Sequence, residues 1–179
     1  SLAEGKSTIL ERLKLKSKNY IVATVHRAGN TDSRENLNGI IEAFAKSKEK
    51  IIFPAHPRTE KCIRHYGLDK KLKNKNIIVT KPVGYLDMLV LEKNARKILT
   101  DSGGMQKEAY FFKVPCITLR DSTEWVETVK DGWNALAGAS TPRILGAIRN
   151  FSPKGKQTEN YGNGNASRNI ANAINKFSF

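Results

Sequence analysis

The tripeptide Ser102-Gly103-Gly104 lies between an apolar run, residues 97–101, and a helical-looking segment that begins at Met105. This pattern predicts a strand, a tight glycine turn and a helix. Glycine lets the backbone approach a ligand closely, and a helix N-terminus presents unpaired N–H groups with a partial positive charge. The turn therefore suits an anion such as a diphosphate. A Gly-Gly pair is also a common way simply to turn a chain, so a purely structural role stays open.

Other polar side chains follow apolar runs in the same way. His26 and Arg27 end the run at residues 20–25 and could form a phosphate clamp, or they could hydrogen-bond within their own loop. Glu108 lies four residues past Gly104, one helical turn on, where a carboxylate could accept the hydroxyls of a ribose. Alternatively, it is a solvated glutamate that the helix dipole favours.

A third polar set follows the apolar run at residues 115–119. Arg120, Asp121 and Glu124 place one cation and two carboxylates near one edge of the expected sheet. They either pair with each other or line a site. Thr123 and Glu124 could equally cap the next helix, since such side chains accept hydrogen bonds from first-turn N–H groups.

The elements that position these groups alternate along the chain. Short apolar runs predict buried strands, and the amphipathic stretches between them predict helices. Because parallel neighbours need a crossover, the alternation predicts an α/β fold, a doubly wound parallel sheet with helices on both faces. Such sheets bind ligands at the carboxyl ends of their strands, where the polar groups lie. The predicted strands are residues 20–25, 51–55, 76–80, 97–101, 115–119 and 134–138, and the predicted helices are residues 37–46, 59–66, 86–94, 105–112 and 125–130.

The two ends of the chain differ from this middle. Residues 1–19 predict a linker helix at 8–15 and a basic stretch, and residues 20–150 predict the ligand-binding domain. Residues 151–179 predict a glycine-containing loop and a last helix at 166–176. The chain does not begin with Met, and we expect it to be part of a longer protein.

Composition narrows the function classes. The chain has 179 residues, 39% hydrophobic and 27% charged, which suits one buried core, and no apolar run is long enough to cross a membrane. The net charge of +14 favours phosphates, nucleic acid or anionic membranes, but the lysines are spread along the chain. We therefore expect neither specific nucleic-acid binding nor membrane binding. Cys62 and Cys116 lack metal-site spacing, which predicts no metal, and they suit a reducing cytoplasm.

Five motifs, taken in order, closely resemble the non-hydrolysing UDP-N-acetylglucosamine 2-epimerases, over a stretch from about Tyr20 to Ile174. Several ordered motifs at compatible spacing are more specific than any single glycine turn. The motifs are Thr24-Val25-His26-Arg27, Pro54-Ala55-His56-Pro57-Arg58, Leu99-Thr100-Asp101-Ser102-Gly103-Gly104-Met105-Gln106-Lys107-Glu108-Ala109, Arg120-Asp121-Ser122-Thr123-Glu124 and Tyr161-Gly162-Asn163-Gly164-Asn165-Ala166-Ser167.

The resemblance implies an enzyme of two Rossmann-like domains in a glycosyltransferase-B-like arrangement, with the active site between them and this chain as the C-terminal domain. Members of this family interconvert UDP-GlcNAc and UDP-ManNAc by eliminating UDP, which leaves 2-acetamidoglucal, and by adding UDP back after the sugar has turned over. The product feeds polysaccharide biosynthesis. No nicotinamide, metal or other cofactor is implied.

The implied partners are UDP-GlcNAc or UDP and an absent N-terminal domain. That domain would carry the main acid/base carboxylates, and the last helix of this chain would cross to it. We therefore expect the chain alone to hold nucleotide without epimerising it.

The resemblance also assigns single residues, most of them to parts of UDP. Departing UDP needs its developing charge stabilised, which a helix N-terminus and cationic side chains can do. The matched positions are Ser102 and Gly103 for the diphosphate, with Gly104 continuing the turn, Glu108 for the ribose, the backbone of Met88 for the uracil, His26 for turnover near the diphosphate, and Arg120 as a site arginine.

The chain departs from the family pattern at two places. An acidic residue is common two positions after the arginine that matches Arg27, and here Gly29 occupies that position within a longer loop, residues 28–34. Where many bacterial members have Arg-Pro, this chain has Trp125-Val126, so any role of that arginine is lost or taken by another residue.

Two other functions remain as alternatives at this point. One is a related glycosyltransferase domain that uses another UDP-sugar, since nucleotide contacts do not identify the sugar. The other is a basic, non-catalytic module that binds nucleic acid or a membrane through its charge. The sequence does not decide whether the protein forms a homodimer or whether a second nucleotide sugar regulates it.

Overall fold

The computed structural model describes residues 5–162 and 164–176. Within these residues, six parallel strands form one sheet. The strands are β1 (Ile21–Thr24), β2 (Ile51–Pro54), β3 (Ile77–Thr80), β4 (Lys97–Thr100), β5 (Cys116–Thr118) and β6 (Asn134–Leu136). The helices are α1 (Ile9–Arg12), α2 (Ala28–Thr31), α3 (Arg34–Lys46), α4 (Pro57–His65), α5 (Asp69–Leu72), α6 (Tyr85–Asn94), α7 (Gly103–Phe111), α8 (Val126–Lys130), α9 (Thr141–Asn150) and α10 (Ala166–Lys176).

The strand order is β3-β2-β1-β4-β5-β6, and each pairing is parallel. Every strand that the sequence predicts is therefore present, and the doubly wound α/β fold is confirmed. The order reverses between β1 and β4, which are neighbours in register, with Thr24 opposite Thr100. The loops after these two strands consequently lie side by side, at the switch point where such sheets bind ligands.

Two apolar cores cover the two faces of the sheet. Side chains alternate along a strand, so Ile21 and Ala23 of β1 join one core while Val22 joins the other. The first core receives α3, α4 and α9, and the second receives α1, α6 and α7. The prediction of helices on both faces is confirmed.

The predicted helices are present, all but α10 with shifted ends, and three further helices among the described residues, α2, α5 and α9, are not predicted. Residues 28–34, predicted as a loop, contain the short helix α2, so that prediction is wrong. The helix α9 has Pro142 near its N-terminus, and it buries Ile144 and Ile148, which are one turn apart. The four-residue helix α5 has no buried residue, so no apolar face marks it in the sequence.

The two ends of the chain pack differently. The predicted helix at 8–15 covers only Ile9–Arg12, and Ile9 and Leu15 are buried in the second core. The helix α10 has the predicted bounds, and all of its residues are exposed. In the described part of the chain, none of the helices has the length and hydropathy that crossing a membrane requires.

Candidate functional site

The loops after β1 and β4 meet at the carboxylate of Asp101. Its oxygens accept hydrogen bonds from the backbone N–H groups of His26 (3.1 Å to each oxygen) and Arg27 (2.9 Å), and from Nδ2 of Asn30 (3.0 Å). Asn30, in α2, also donates to the carbonyl oxygen of Leu119 (2.9 Å), beyond β5. Asp101 is 0% exposed, so water does not compete for these bonds. The carboxylate therefore fixes the loop that carries His26 and Arg27.

The sequence predicts Asp101 at the end of a strand and indicates no role for it. The available signal was an acidic residue that ends an otherwise apolar run. Burial of such a side chain requires hydrogen-bond donors, and those donors come from a loop more than seventy residues earlier in the chain.

The glycine turn has the predicted strand, turn and helix geometry. Ser102 is the N-cap of α7, and its Oγ accepts a hydrogen bond from the backbone N–H of Met105 (3.4 Å). The backbone N–H of Ser102 itself donates to Oγ1 of Thr100 (2.9 Å). The helix starts at Gly103, so its N-terminus points at the switch point of the sheet.

A cavity of about 290 Å³ opens beside this turn, between α6, α7 and the ends of β1 and β2. Four of the predicted site residues line it: His26, Met88, Ser102 and Glu108. The imidazole of His26 is partly exposed, and its Nε2 lies 4.0 Å from Oδ1 of Asp101. The remaining lining is Thr24, Val25, Pro54, His56, Pro82, Val83, Tyr85, Glu92 and Met105.

Glu108 faces the cavity from α7 and contacts α6. The hydroxyl of Tyr85 donates a hydrogen bond to Oε1 of Glu108 (3.1 Å). This bond, followed by the charge of Glu108, raises the pKa of Tyr85. Glu108 is therefore hydrogen-bonded to a side chain of α6, and the interpretation of a glutamate that contacts only solvent is wrong.

Glu92 is an unexpected acidic residue at the cavity. Sequence reasoning included it in the amphipathic stretch at 86–94 without a role. The residue is 0% exposed, and burial, followed by the charge of Glu108, raises the pKa of its carboxyl to about 9. Glu92 is therefore a neutral acid near pH 7.

Arg27 and Arg120 lie outside the cavity lining and meet at Glu124. Nη1 of Arg120 is 2.8 Å from Oε2 of Glu124, and Nη2 of Arg27 is 3.7 Å from its Oε1. Oε1 also lies beside the glycine turn, where it would clash with a Cβ on Gly103. A hydrogen bond from its own backbone N–H, and then Arg120, lower the pKa of Glu124. The anion of Glu124 thus holds two guanidinium groups next to the start of α7.

The remaining members of this polar set behave differently. Asp121 pairs with Arg143 (3.4 Å), away from the turn. Thr123 accepts a hydrogen bond from the backbone N–H of Trp125 (3.0 Å), and α8 starts after Trp125 without a side-chain cap. The capping interpretation of Thr123 and Glu124 is therefore wrong, and pairing with Arg120 is the arrangement found.

Trp125 contacts the glycine turn directly. Its Nε1 donates to the carbonyl oxygen of Gly103 (2.8 Å), and Nζ of Lys107 lies 4.5 Å from the centre of its ring. The ring of Tyr161 packs against it edge to face, with 5.9 Å between ring centres. The departure from the family pattern at Trp125-Val126 thus places an indole N–H on the turn. Of the motif that begins at Tyr161, Asn163 lies outside the described residues.

The other departure, Gly29, lies in α2, and its carbonyl oxygen accepts a hydrogen bond from Nδ2 of Asn36 (2.9 Å). No atom of the residues that the structure describes lies within 4 Å of a Cβ built on Gly29, so none of them requires glycine there by close approach. Within residues 5–162 and 164–176, no group of three or more His, Cys, Asp and Glu side chains could hold a metal ion.

The chain is similar to known proteins of one family. The family model for UDP-N-acetylglucosamine 2-epimerase matches residues 2–175. The UDP-N-acetylglucosamine 2-epimerase homolog of Methanococcus maripaludis is 57% identical over 93% of this chain and 47% of the relative. The UDP-2,3-diacetamido-2,3-dideoxy-D-glucuronate 2-epimerase of Pseudomonas aeruginosa is 43% identical over 88% of this chain and 44% of the relative. The chain spans about half the length of the curated relatives it matches.

A solved structure agrees with these relatives. The UDP-GlcNAc 2-epimerase of Methanocaldococcus jannaschii, solved in complex with UDP-GlcNAc and UDP, superposes with a TM-score of 0.86 at 40% identity. The match covers 98% of this chain and 50% of that one.

Proposed function

This chain belongs to the UDP-N-acetylglucosamine 2-epimerase family, and from that premise we propose that it is the nucleotide-binding half of such an enzyme. The proposed reaction interconverts UDP-GlcNAc and UDP-ManNAc by elimination and re-addition of UDP. The observation that carries the proposal is the cavity at the switch point of the sheet, where His26, Met88, Ser102 and Glu108 come together.

The proposed nucleotide follows the cavity from the glycine turn outward. The diphosphate lies at the N-terminus of α7, against Ser102 and Gly103, with Gly104 continuing the turn. Glu108 accepts the hydroxyls of the ribose, and the backbone of Met88 meets the uracil. This assignment places the diphosphate, the most highly charged part of the ligand, at the oriented N–H groups of α7.

The groups around the turn would stabilise UDP as it leaves. Arg27 and Arg120 stand beside Gly103, where they now pair with Glu124, and a diphosphate would compete with that carboxylate for them. His26 reaches the cavity from the end of β1 and is the proposed participant in turnover. When the bond between C1 of the sugar and the β-phosphate oxygen breaks, the electron pair stays on that oxygen, and cations and helix N–H groups stabilise the charge.

The other wall of the site is proposed to come from the half that the longer relatives possess. That half supplies the main acid/base carboxylates, so the present chain binds UDP but does not epimerise by itself. We also propose the division into a linker helix at 1–19, a UDP-binding domain at 20–150 and a crossing segment at 151–179. The exposed helix α10, with Ile170 59% exposed, supports a role for this segment in contacts with the other half.

The sugar and the cellular site are further parts of the proposal. The Pseudomonas aeruginosa relative is named for a different UDP-sugar, so similarity to that relative does not identify the sugar. We assign UDP-GlcNAc because the family model and the Methanocaldococcus jannaschii structure are both named for it. Cys62 and Cys116 are free thiols, which supports a reducing compartment such as the cytoplasm.

Isothermal calorimetry with UDP tests the nucleotide site. We expect UDP to bind the wild type, and Glu108→Gln to weaken binding by roughly 10- to 100-fold, which is the loss of a hydrogen bond to a charged group. Glu35→Gln removes an exposed first-turn carboxylate of α3, outside the cavity, and should leave the Kd unchanged. Absence of UDP binding, or equal Kd values for the two variants, would contradict the assignment.

Two further measurements test the alternatives and the division of labour. Polyanion binding that falls steeply with salt and ignores Glu108→Gln would favour a basic, non-catalytic module. An epimerase assay of the chain alone, and of the chain mixed with a supplied N-terminal half, should give activity only in the mixture. Activity of the chain alone would contradict the proposed division.

A further inference from the structure

Glu92 has a contact pattern that the proposed function does not use. It is 0% exposed and lines the cavity from α6, one helical turn after Met88. In the described part of the chain, neither of its carboxyl oxygens has a hydrogen-bond partner. A buried polar group without a partner is costly and uncommon in a folded protein, so its presence at a ligand cavity calls for a function.

The groups that face Glu92 come from several elements. From α7 comes the carboxylate of Glu108, and from the start of α6 comes the hydroxyl of Tyr85, which already donates to Oε1 of Glu108. From β5 comes the thiol of Cys116, whose pKa burial raises to about 12. The imidazoles of His26 and His56 line the same cavity at the ends of β1 and β2.

The surroundings of Glu92 favour the protonated form. The causes that raise its pKa to about 9 are burial first and then the neighbouring Glu108, and no cation among the described residues offsets them. An ionised Glu92 would put a buried carboxylate beside that of Glu108. A protonated Glu92 instead offers an O–H donor beside a carboxylate that already receives one hydrogen bond, from Tyr85.

We propose that Glu92 is a positioning residue that retains its proton and donates a hydrogen bond from it to Glu108, so that Glu92 and Tyr85 together orient that carboxylate toward the ribose of the nucleotide. The inference rests on the proposed function, which assigns Glu108 to the ribose. Beyond the assignment of Glu108 to the ribose, the inference gives Glu92 a role in nucleotide binding and predicts that the affinity for the nucleotide depends on pH.

The inference makes nucleotide affinity depend on the proton of Glu92. When Glu92 ionises at alkaline pH, repulsion turns Glu108 away from the ribose and affinity falls. Glu92→Gln keeps an N–H donor that does not titrate, whereas Glu92→Leu removes the donor at similar volume. The uracil ring also loses a proton in alkaline solution, and this change is the same for every variant, so a ratio of Kd values cancels it.

The test is calorimetry of UDP with the wild type, Glu92→Gln, Glu92→Leu and Glu108→Gln across the range from neutral to alkaline pH. Near neutral pH, we expect Glu92→Gln to stay within about threefold of the wild type and Glu92→Leu to bind about tenfold more weakly, the loss of one hydrogen bond. The Kd of the wild type relative to Glu92→Gln should rise about tenfold once the pH exceeds the pKa of Glu92 by about one unit.

The outcomes separate this inference from the function on which it rests. UDP that fails to bind the wild type, or binds Glu108→Gln equally well, overturns both. Binding that needs Glu108 but gives the same Kd for Glu92→Leu, or a pH-independent ratio for Glu92→Gln, overturns the positioning role alone. If the variants do not fold, carbon NMR of the Glu92 carboxyl in the wild type decides: a titration midpoint below neutral pH overturns the inference.

Discussion

Asp101→Asn is the substitution that most directly tests how the fold builds the site. Asp101 offers carboxylate oxygens to three donors, the backbone N–H groups of His26 and Arg27 and Nδ2 of Asn30. Asparagine has the same shape but only one acceptor oxygen, and its own NH₂ group would face a donor. The substitution therefore changes the hydrogen bonding of the β1 loop with no change in volume.

The magnitude follows from the three donors. Losing one charge-assisted hydrogen bond costs about 2 kcal/mol, and replacing the charge weakens each of the other two by about 0.5 kcal/mol. We expect Asp101→Asn to lower the free energy of unfolding by about 3 kcal/mol. The chain supplies a matched control in Asp121→Asn, because the Asp121 side chain is 87% exposed and lies 3.4 Å from Arg143. That control should cost less than about 0.5 kcal/mol.

Urea unfolding of both variants near neutral pH measures the difference, and calorimetry with UDP gives a second readout. We expect UDP binding to weaken in Asp101→Asn because its His26 and Arg27 are no longer fixed, and to stay unchanged in Asp121→Asn. Equal stabilities of the two variants would refute the proposed role of Asp101 in the fold. A destabilised Asp101→Asn that binds UDP as the wild type does would refute its role in the site.

Two further predictions concern glycine and pH. Gly146→Ala, in the interior of α9, puts a new Cβ where no atom of the described residues lies within 4 Å, so it should raise the free energy of unfolding by about 0.5 to 1 kcal/mol without changing the Kd for UDP. Gly103→Ala, whose Cβ would displace Glu124, should instead weaken UDP binding. Urea unfolding and calorimetry check both, and equal Kd values would contradict the reasoning. Because the folded pKa of Glu92 is raised from 4.5 to about 9, the free energy of unfolding of the wild type, relative to Glu92→Gln, should fall by roughly 4 to 5 kcal/mol as the pH rises from about 4.5 to 8. Parallel stability curves of the two proteins across that range would contradict it.

The sequence predicts the sheet because burial of both faces of a strand produces a pattern that is visible over a few consecutive residues. A parallel strand covered by helices needs a short apolar run, and each predicted run became a strand. The polar residues at strand ends could be recognised for the same reason, since a fixed topology brings them to one edge. Ser102, just beyond the end of β4, is an example. The position of Glu108 follows from the helix that begins at the glycine turn.

Other parts of the site depend on contacts that no local pattern contains. Glu92 occupies an ordinary helical position, and only the packing of α6 against α7 makes it a buried neighbour of Glu108. The sequence leaves three interpretations of Arg120 and Glu124 open: a salt bridge between them, a shared site and helix capping. The position of Gly103 beside the salt bridge that forms could not be inferred from spacing. The helix α9 was missed although Ile144 and Ile148 carry a helical spacing, because glycine and proline near them also fit a loop.

Asp101 and Glu92 lead to a general point about acidic residues at such a site. Both are 0% exposed and lie within one ligand-binding region, yet Asp101 receives hydrogen bonds from three donors while Glu92 has none from the described residues. Donors stabilise a carboxylate as an acceptor, so Asp101 can hold a loop in place. Without donors, and beside a second carboxylate, burial favours the neutral acid, so Glu92 can give a hydrogen bond instead. The supply of donors around each group, rather than the type of residue, therefore decides whether an acid fixes the backbone or orients another side chain.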